Sequence, residues 1–437
     1  MSKPTTAKRP HSLQQSSGSV LEGRVRGLGR QGEGAVETSE GIVFVPGALP
    51  GEVLRLKVTG RSRGVLRGRL VETIERSNDR VNVVCPHESR CGGCPLMALS
   101  ADGQRTHKRA MTESALARFS VQGLQVEMTP SPTMTGYRCR ARLAFLCKES
   151  GRQLGYRRER EKRLADIADC AVLDAVCQRG LELTRRCLLL ELRGEGELLL
   201  GHGANALPVL SLRCQSEQSA QLYRLCESLV SQGEVSGVSL SVIGGAATAR
   251  FGDPRQCAIA ADGKPLWSAA GGFSQSNLAV NRALCAYVLE CAEPSGKRLV
   301  ELFCGHGNFT VLLAKTALNL EAVEADQEAV DACRQNLLAR GLEKARVHCA
   351  SAASFRPKGS VDVVVLDPPR TGARNELPSL ISWRPKAVVY VSCDLPTLTR
   401  DIAILHQAGY VIERAHAFDM FPHTAHLEVA VRLRRQA

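Results

Sequence analysis

Cys393 stands in Val391-Ser392-Cys393-Asp394, where an apolar run ends and a helix-like stretch begins. A thiolate there could attack an electrophilic carbon. Asp394 could cap the helix, and the helix end would favour the charged sulfur. A lone cysteine at a strand end is more often buried filler, so its setting decides. Asp367-Pro368-Pro369-Arg370 follows the run VDVVVL. Two prolines halt a sheet and fix a rigid turn at its carboxyl edge, where open α/β sheets bind ligands. Earlier, Glu301-Leu302-Phe303-Cys304-Gly305-His306-Gly307-Asn308-Phe309 links a strand-like run to a helix. Its glycines let a ligand approach the backbone beside a helix N-terminus. Glu324 lies 19 residues after Gly305, where a carboxylate can accept from ribose hydroxyls. The positions after Gly307 are Asn308, Phe309 and Thr310, so the dinucleotide fingerprint is incomplete. That points away from NAD and toward S-adenosylmethionine, although a tight turn with no ligand would look similar. Glu428, at the start of a late strand, could face solvent or cleft.

A second constellation is Cys85-x5-Cys91-Gly92-Gly93-Cys94. Three thiols within ten residues, with glycines permitting a tight wrap, point to a metal or iron–sulfur site that is one ligand short. Cys170, Cys139, Cys147 and Cys177 are all candidates for the fourth. The chain has 17 cysteines and no apolar leader segment, which predicts reduced thiols in the cytoplasm. Most should be small buried hydrophobes, Cys285, Cys291, Cys333 and Cys349 among them.

The elements that must position these groups fall into blocks. Residues 1–15 read as a disordered basic tail. Residues 16–80 alternate short β-like runs (Ser19–Val25, Gly41–Val45, Glu52–Val58, Val65–Thr73) with glycine-rich turns. That pattern predicts a small OB-like or SH3-like barrel whose basic turns could meet phosphates. Residues 81–265 read as a weakly patterned central α+β domain. Its helix-like stretch Ala101–Arg118 belongs to a region, about 96–130, that could pack on the catalytic part. Strands are expected at Leu143–Leu146, Glu197–Gly201 and Val235–Ile243. Over 266–437 helices and strands alternate regularly, which predicts a doubly wound, Rossmann-like sheet. The fold class is therefore multidomain α/β.

Composition supports this reading. At 44% hydrophobic and 23% charged residues the chain suits a folded protein and excludes collagen, coiled coil and wholesale disorder. No apolar run approaches the roughly 18 residues that span a bilayer. The net charge is +13. The excess sits in blocks, 14 Lys/Arg against 8 Asp/Glu over 1–80 and 10 against 3 over 137–163. Concentrated excess favours a polyanion such as nucleic acid, with a solvated basic face as the plain alternative.

Together these motifs resemble the RNA uracil-C5 methyltransferases that use S-adenosylmethionine, in particular the iron–sulfur ribosomal RNA branch. The likeness runs from about residue 18 to the end. It rests on Phe44-Val45-Pro46-Gly47-Ala48-Leu49-Pro50-Gly51-Glu52, the CGGC cluster, Phe273-Ser274-Gln275-Ser276-Asn277, the LFCGHGNF loop, DPPR, VSCD and DMFPHTAHLE, in order. The resemblance implies a TRAM domain over 18–80 and a class I methyltransferase fold at the C-terminus. It implies a [4Fe-4S] cluster on Cys85, Cys91, Cys94 and Cys170. Gln275, Phe303, Asn308, Glu324 and Asp367 would contact S-adenosylmethionine, with Ser351 near the adenine where relatives carry Asn or Asp. Cys393 would be the nucleophile and Glu428 the general base.

The implied product is 5-methyluridine in 23S ribosomal RNA, made by a monomer with no membrane partner. Two local departures stand out: Cys94 is followed by Pro95-Leu96-Met97-Ala98 in place of Gln-His, and the proline after the nucleophile is Pro396, one position late. They put the exact target uridine in doubt. A transfer RNA uracil-C5 methyltransferase is the nearest rival, disfavoured because the bacterial tRNA branch resembles only the catalytic part. A non-catalytic RNA-binding metal protein would not need the nucleophile. An amino-group methyltransferase would carry an aromatic where Arg370 stands.

Overall fold

Strand residues of the C-terminal sheet point alternately to its two faces, and the sequence exploits that period of two. Leu299, Val363, Val365, Val389 and Val391 enter one core layer, while Val300, Leu302, Val364, Leu366, Val388 and Tyr390 enter the other. The computed structural model describes residues 18–62, 64–119, 124–157, 163–245 and 247–436. The tail expected over 1–15 lies outside them, as do residues 158–162 of the second basic block. The described chain forms two units, one of residues 18–82 with 98–100 and one of the remainder.

The first unit is a closed five-stranded barrel of Val20–Leu28, Gly34–Thr38, Gly41–Val45, Val53–Ser62 and Val65–Glu75, with the last two exchanged in the spatial order. The second strand, short and glycine-led, was not evident in the sequence. Val25, Val36, Val43, Val45, Leu54 and Leu56 fill the interior. Gly23 and Gly34 sit where a Cβ would strike neighbouring backbone at 2.2 and 2.7 Å. Closure therefore requires glycine at both positions. Arg24, Arg26, Arg55 and Arg67 pair with glutamates of the same barrel. Arg30, Arg61 and Arg69 carry no such pair among the described residues, so the charge free to meet phosphates is smaller than the count suggests.

In the second unit a seven-stranded sheet spans Ala141–Gly252 and packs helices Ala175–Leu183 and Ala220–Ser231 around its own core. An eight-stranded sheet forms the C-terminal half. Its parallel strands lie in the order Arg346–Cys349, Asn319–Glu324, Arg298–Leu302, Val363–Leu366, Ala387–Ser392. Glu428–Arg435 joins antiparallel, followed by Tyr410–Phe418 and the edge strand Glu127–Thr129. Helices Leu278–Ala292 and Gln327–Leu338 cover one face, and Leu395–Gln407, Leu377–Ser382 and Ala101–Leu116 the other. The hairpin Gln256–Ile259/Pro265–Ser268 gives Ala260 and Leu266 to the first of these layers. Cys285, Cys291 and Cys333 are buried there. Cys349 is exposed, against expectation, because it ends an edge strand and only one neighbouring strand covers it.

Candidate active site

The carboxyl ends of the parallel strands form one rim, and the spatial order reverses between Arg298–Leu302 and Val363–Leu366. A crevice opens at such a switch point. Phe303, Glu324 and Ser351 end or follow the strands on one side, and Asp367 and Cys393 those on the other. Glu428 reaches the same rim for a different reason. Its strand is antiparallel and pairs Val429 with Ser392, so its first residue, not its last, lies at this edge.

On one side of the crevice the glycine loop is held by hydrogen bonds. Phe303 adopts φ +61, a left-handed conformation unusual outside glycine and a form of strain often found at functional sites. Glu324 accepts the Gly305 N–H at 3.1 Å through one oxygen and the Ala325 and Asp326 N–H groups through the other. Its carboxylate thus shapes the loop. Asn308 exchanges two hydrogen bonds with Asn281, at 2.9 and 3.0 Å, on the first turn of helix Leu278–Ala292. Asn281 was not singled out from the sequence, where it reads as one polar residue in an apolar helix. Asn277 caps that helix through the Val280 N–H. The adjoining Gln275 is buried, its carbonyl facing the Cys139 thiol. Ser351 is exposed, next to the backbone bond from Ala350 to Glu324.

On the other side Cys393, Glu428, Asp367 and Arg370 act on one another. Burial, then the charges of Glu428 and Asp367, push the Cys393 thiol up to about 11, while the Arg370 guanidinium pulls it down. The expectation of a thiolate favoured by the helix end is therefore corrected. Asp394 does cap the helix, through the Thr397 N–H at 3.0 Å, but desolvation and two carboxylates outweigh the dipole. Glu428 is raised well above the carboxylate range by burial and by Asp367, and Asp367 is raised by burial. Two such carboxyls at one place resist losing both protons. The turn after Arg370 is pinned from beneath: Asp401 accepts the Ala373 N–H at 2.7 Å and the Tyr390 hydroxyl at 2.6 Å.

Cys85, Cys94 and Cys170 pack against a small buried group of Met97, Tyr137 and Val172. Cys85, Cys91, Cys94 and Cys170 influence one another electrostatically, and burial pushes Cys94 up to about 12. Backbone N–H groups of Gly93 and of Val172 and Leu173 point at the Cys91 and Cys170 sulfurs. Gly93 lies against the Cys91 sulfur, 3.4 Å from where a Cβ would stand. Of Cys170, Cys139, Cys147 and Cys177, it is Cys170 whose charge acts on Cys91 and Cys94. The half-buried Arg138 adds positive charge beside Cys94 and Cys170. The buried Tyr156 hydroxyl, also acting on these sulfurs, has no hydrogen-bond partner. Thiolate donors, a cation and an unused donor suit an anionic metal–sulfur group. Asp174, Cys177 and His202 also gather within 4.8 Å. There, however, Asp174 spends one oxygen on the Cys177 N–H and the other on His202 Nε2 at 2.5 Å.

Comparison with known proteins agrees with this architecture. Residues 264–436 match the tRNA (Uracil-5-)-methyltransferase family and residues 14–71 the TRAM domain. The chain is 35% identical to 23S rRNA (uracil(1939)-C(5))-methyltransferase RlmD of Alkalilimnicola ehrlichii, over 94% of this chain and 96% of that one. It is 32% identical to the RlmD protein of Shewanella sp. strain MR-7, over 98% and 96%. Its fold matches the crystal structure of Pyrococcus abyssi tRNA (uracil-54, C5)-methyltransferase in complex with S-adenosyl-L-homocysteine, with TM-score 0.74 and 24% identity over 94% of this chain and 99% of that one. With such identity over nearly its whole length, the chain belongs to the 23S ribosomal RNA (uracil-C5)-methyltransferase family.

Proposed function

We propose that this protein methylates C5 of a uridine in 23S ribosomal RNA through a covalent bond between Cys393 and C6 of the base. The observation that carries this reading is the rim on which Cys393, Glu428, Asp367 and Arg370 interact, opposite the glycine loop. Bound S-adenosylmethionine supplies an electrophilic methyl group, and Gln275, Phe303, Asn308, Glu324, Ser351 and Asp367 are the residues that would hold it.

Uracil C5 is too weak a carbon nucleophile to be methylated unaided. Attack of the Cys393 sulfur at C6 turns the ring into an enolate that is nucleophilic at C5. In the free protein the thiol keeps its proton, so attack awaits a proton acceptor, and Arg370 stabilises the sulfur anion as it forms. Asp367 and Glu428 compete over protons, and the ionised member can act as base. After C5 is methylated, Glu428 or a water it holds removes the C5 proton, and elimination releases Cys393. Stacking shields the C5–C6 edge, so the target base must be flipped or already unstacked.

Cys85, Cys91, Cys94 and Cys170 would hold a [4Fe-4S] cluster, which when bound would cross-link the 85–94 segment to Cys170. We assign RNA binding to 16–80, the cluster to 81–265 with 96–130 serving the catalytic part, and methyl transfer to 266–437. The enzyme works as a single chain in the cytoplasm. No helix among the described residues is long and apolar enough to cross a membrane.

Transfer RNA is the second reading, because the fold likeness to a tRNA-named protein covers 94% of the chain and so includes the barrel. Architecture alone does not separate the two substrates. The test is incubation with unmodified large-subunit ribosomal RNA, or with transfer RNA, and methyl-labelled S-adenosylmethionine, followed by nuclease digestion and mass spectrometry. One 5-methyluridine in ribosomal RNA is expected, and Cys393→Ala should bind RNA but transfer no label. Label confined to transfer RNA overturns the substrate, and turnover by Cys393→Ala overturns the nucleophile.

A further inference from the structure

The segment that delivers Glu428 to the rim, Asp419–Leu427, lies outside the sheet, and His423 within it is bent to φ +67. Such a conformation persists only where surroundings over-determine it. Those surroundings come from far away in sequence. Helix Ala101–Leu116 turns inward a stripe that is mostly polar, Gln104, Lys108, Thr112 and Leu116. Lys108 Nζ donates to Asp419 Oδ1 at 2.6 Å and to the Phe421 carbonyl at 3.0 Å, and both charged side chains are buried. Gln104 Oε1 accepts the His423 N–H at 2.7 Å while its Nε2 donates to the Leu96 carbonyl at 3.1 Å. The Leu96 N–H, two residues past Cys94, donates to the His423 carbonyl at 2.9 Å, and the Tyr137 hydroxyl donates to the Pro422 carbonyl at 3.2 Å. The segment is held at Asp419, Phe421, Pro422 and His423 in turn.

A buried ion pair is a poor way to gain stability, since apolar side chains of similar volume often serve as well. It is a good way to fix one arrangement. We infer that Lys108 and Gln104 are positioning residues that set Glu428 for proton removal, and that the segment carrying Cys94 helps clamp the same loop. The inference rests on Glu428 being the base. It predicts that loosening the clamp slows release of the covalent adduct while leaving attack by Cys393 intact.

The experiment compares wild type, Glu428→Gln, Gln104→Leu and the charge-free pair Lys108→Met/Asp419→Asn on unmodified large-subunit ribosomal RNA with S-adenosylmethionine. It measures kcat, KM, melting temperature and RNA–protein adduct on a denaturing gel. Folded Gln104→Leu and Lys108→Met/Asp419→Asn should lose about 10- to 100-fold in kcat, with KM for RNA within about twofold, and should accumulate adduct. A folded variant with wild-type kcat overturns the inference. So does a variant in which adduct formation and turnover fall together, as a merely structural role requires. Absence of adduct in Glu428→Gln removes the base assignment itself, and with it this inference. Adduct in Glu428→Gln alone removes only the roles of Lys108 and Gln104.

Discussion

At Cys393 and its neighbours several groups contend for few protons. Burial raises the thiol and both carboxyls, and Arg370 lowers the sulfur and Glu428. A carboxyl whose folded pKa lies above its unfolded value keeps its proton after the unfolded chain has lost its own. Folding stability therefore falls as pH rises from the ordinary carboxylate range toward the raised value, which for Asp367 is about 7. Glu428→Gln removes one such group and relieves the other. Its melting temperature should match wild type near pH 4 and exceed it by a few degrees at pH 8. Melting curves at the two pH values check this, and a difference that shrinks with rising pH contradicts it. The cost at neutral pH is consistent with carboxyls retained for chemistry.

Among the elements, helix Leu278–Ala292 and the glycine loop are joined by the reciprocal Asn281–Asn308 bonds. Asn281→Ala leaves the Asn308 amide without its partner and lets it rotate in the cofactor crevice. We expect S-adenosylmethionine binding, measured by titration calorimetry, to weaken about 5- to 30-fold, corresponding to one or two hydrogen bonds, with RNA binding unchanged. Unchanged cofactor affinity would show that the loop holds its shape without the helix. Glu324 is a similar case, since its oxygens already serve three backbone N–H groups.

For the molecule as a whole, the proposed cluster would tie the 85–94 segment to Cys170. Single serine replacements at Cys85, Cys91, Cys94 or Cys170 should each reduce bound iron and acid-labile sulfide by most of their content and lower the melting temperature. Cys177→Ser, in the neighbouring Asp174 and His202 group, should leave both metal readouts unchanged. Iron retained in all four variants would remove the cluster assignment.

Much of this was legible in the residues themselves. The glycine loop, the Pro-Pro turn, the capped helix after Asp394 and the period-two strands are local features, and local sterics and hydrogen bonding dictate them within a few residues. The OB-like barrel was legible too, except for its short second strand. What only the tertiary structure decided involves separations of tens to hundreds of residues. Glu428 faces the rim because its strand runs antiparallel beside Ser392, a pairing no local signal encodes. Cys170 meets Cys85 and Cys94 around Met97, Tyr137 and Val172, and Cys349 is exposed because its strand stays at a sheet edge. The polar stripe Gln104–Lys108–Thr112 reads as a solvent face on any helical wheel. It is buried because Asp419 and the Phe421 and His423 backbone supply its partners from across the chain, and burial of a polar group is tolerated only where such partners exist.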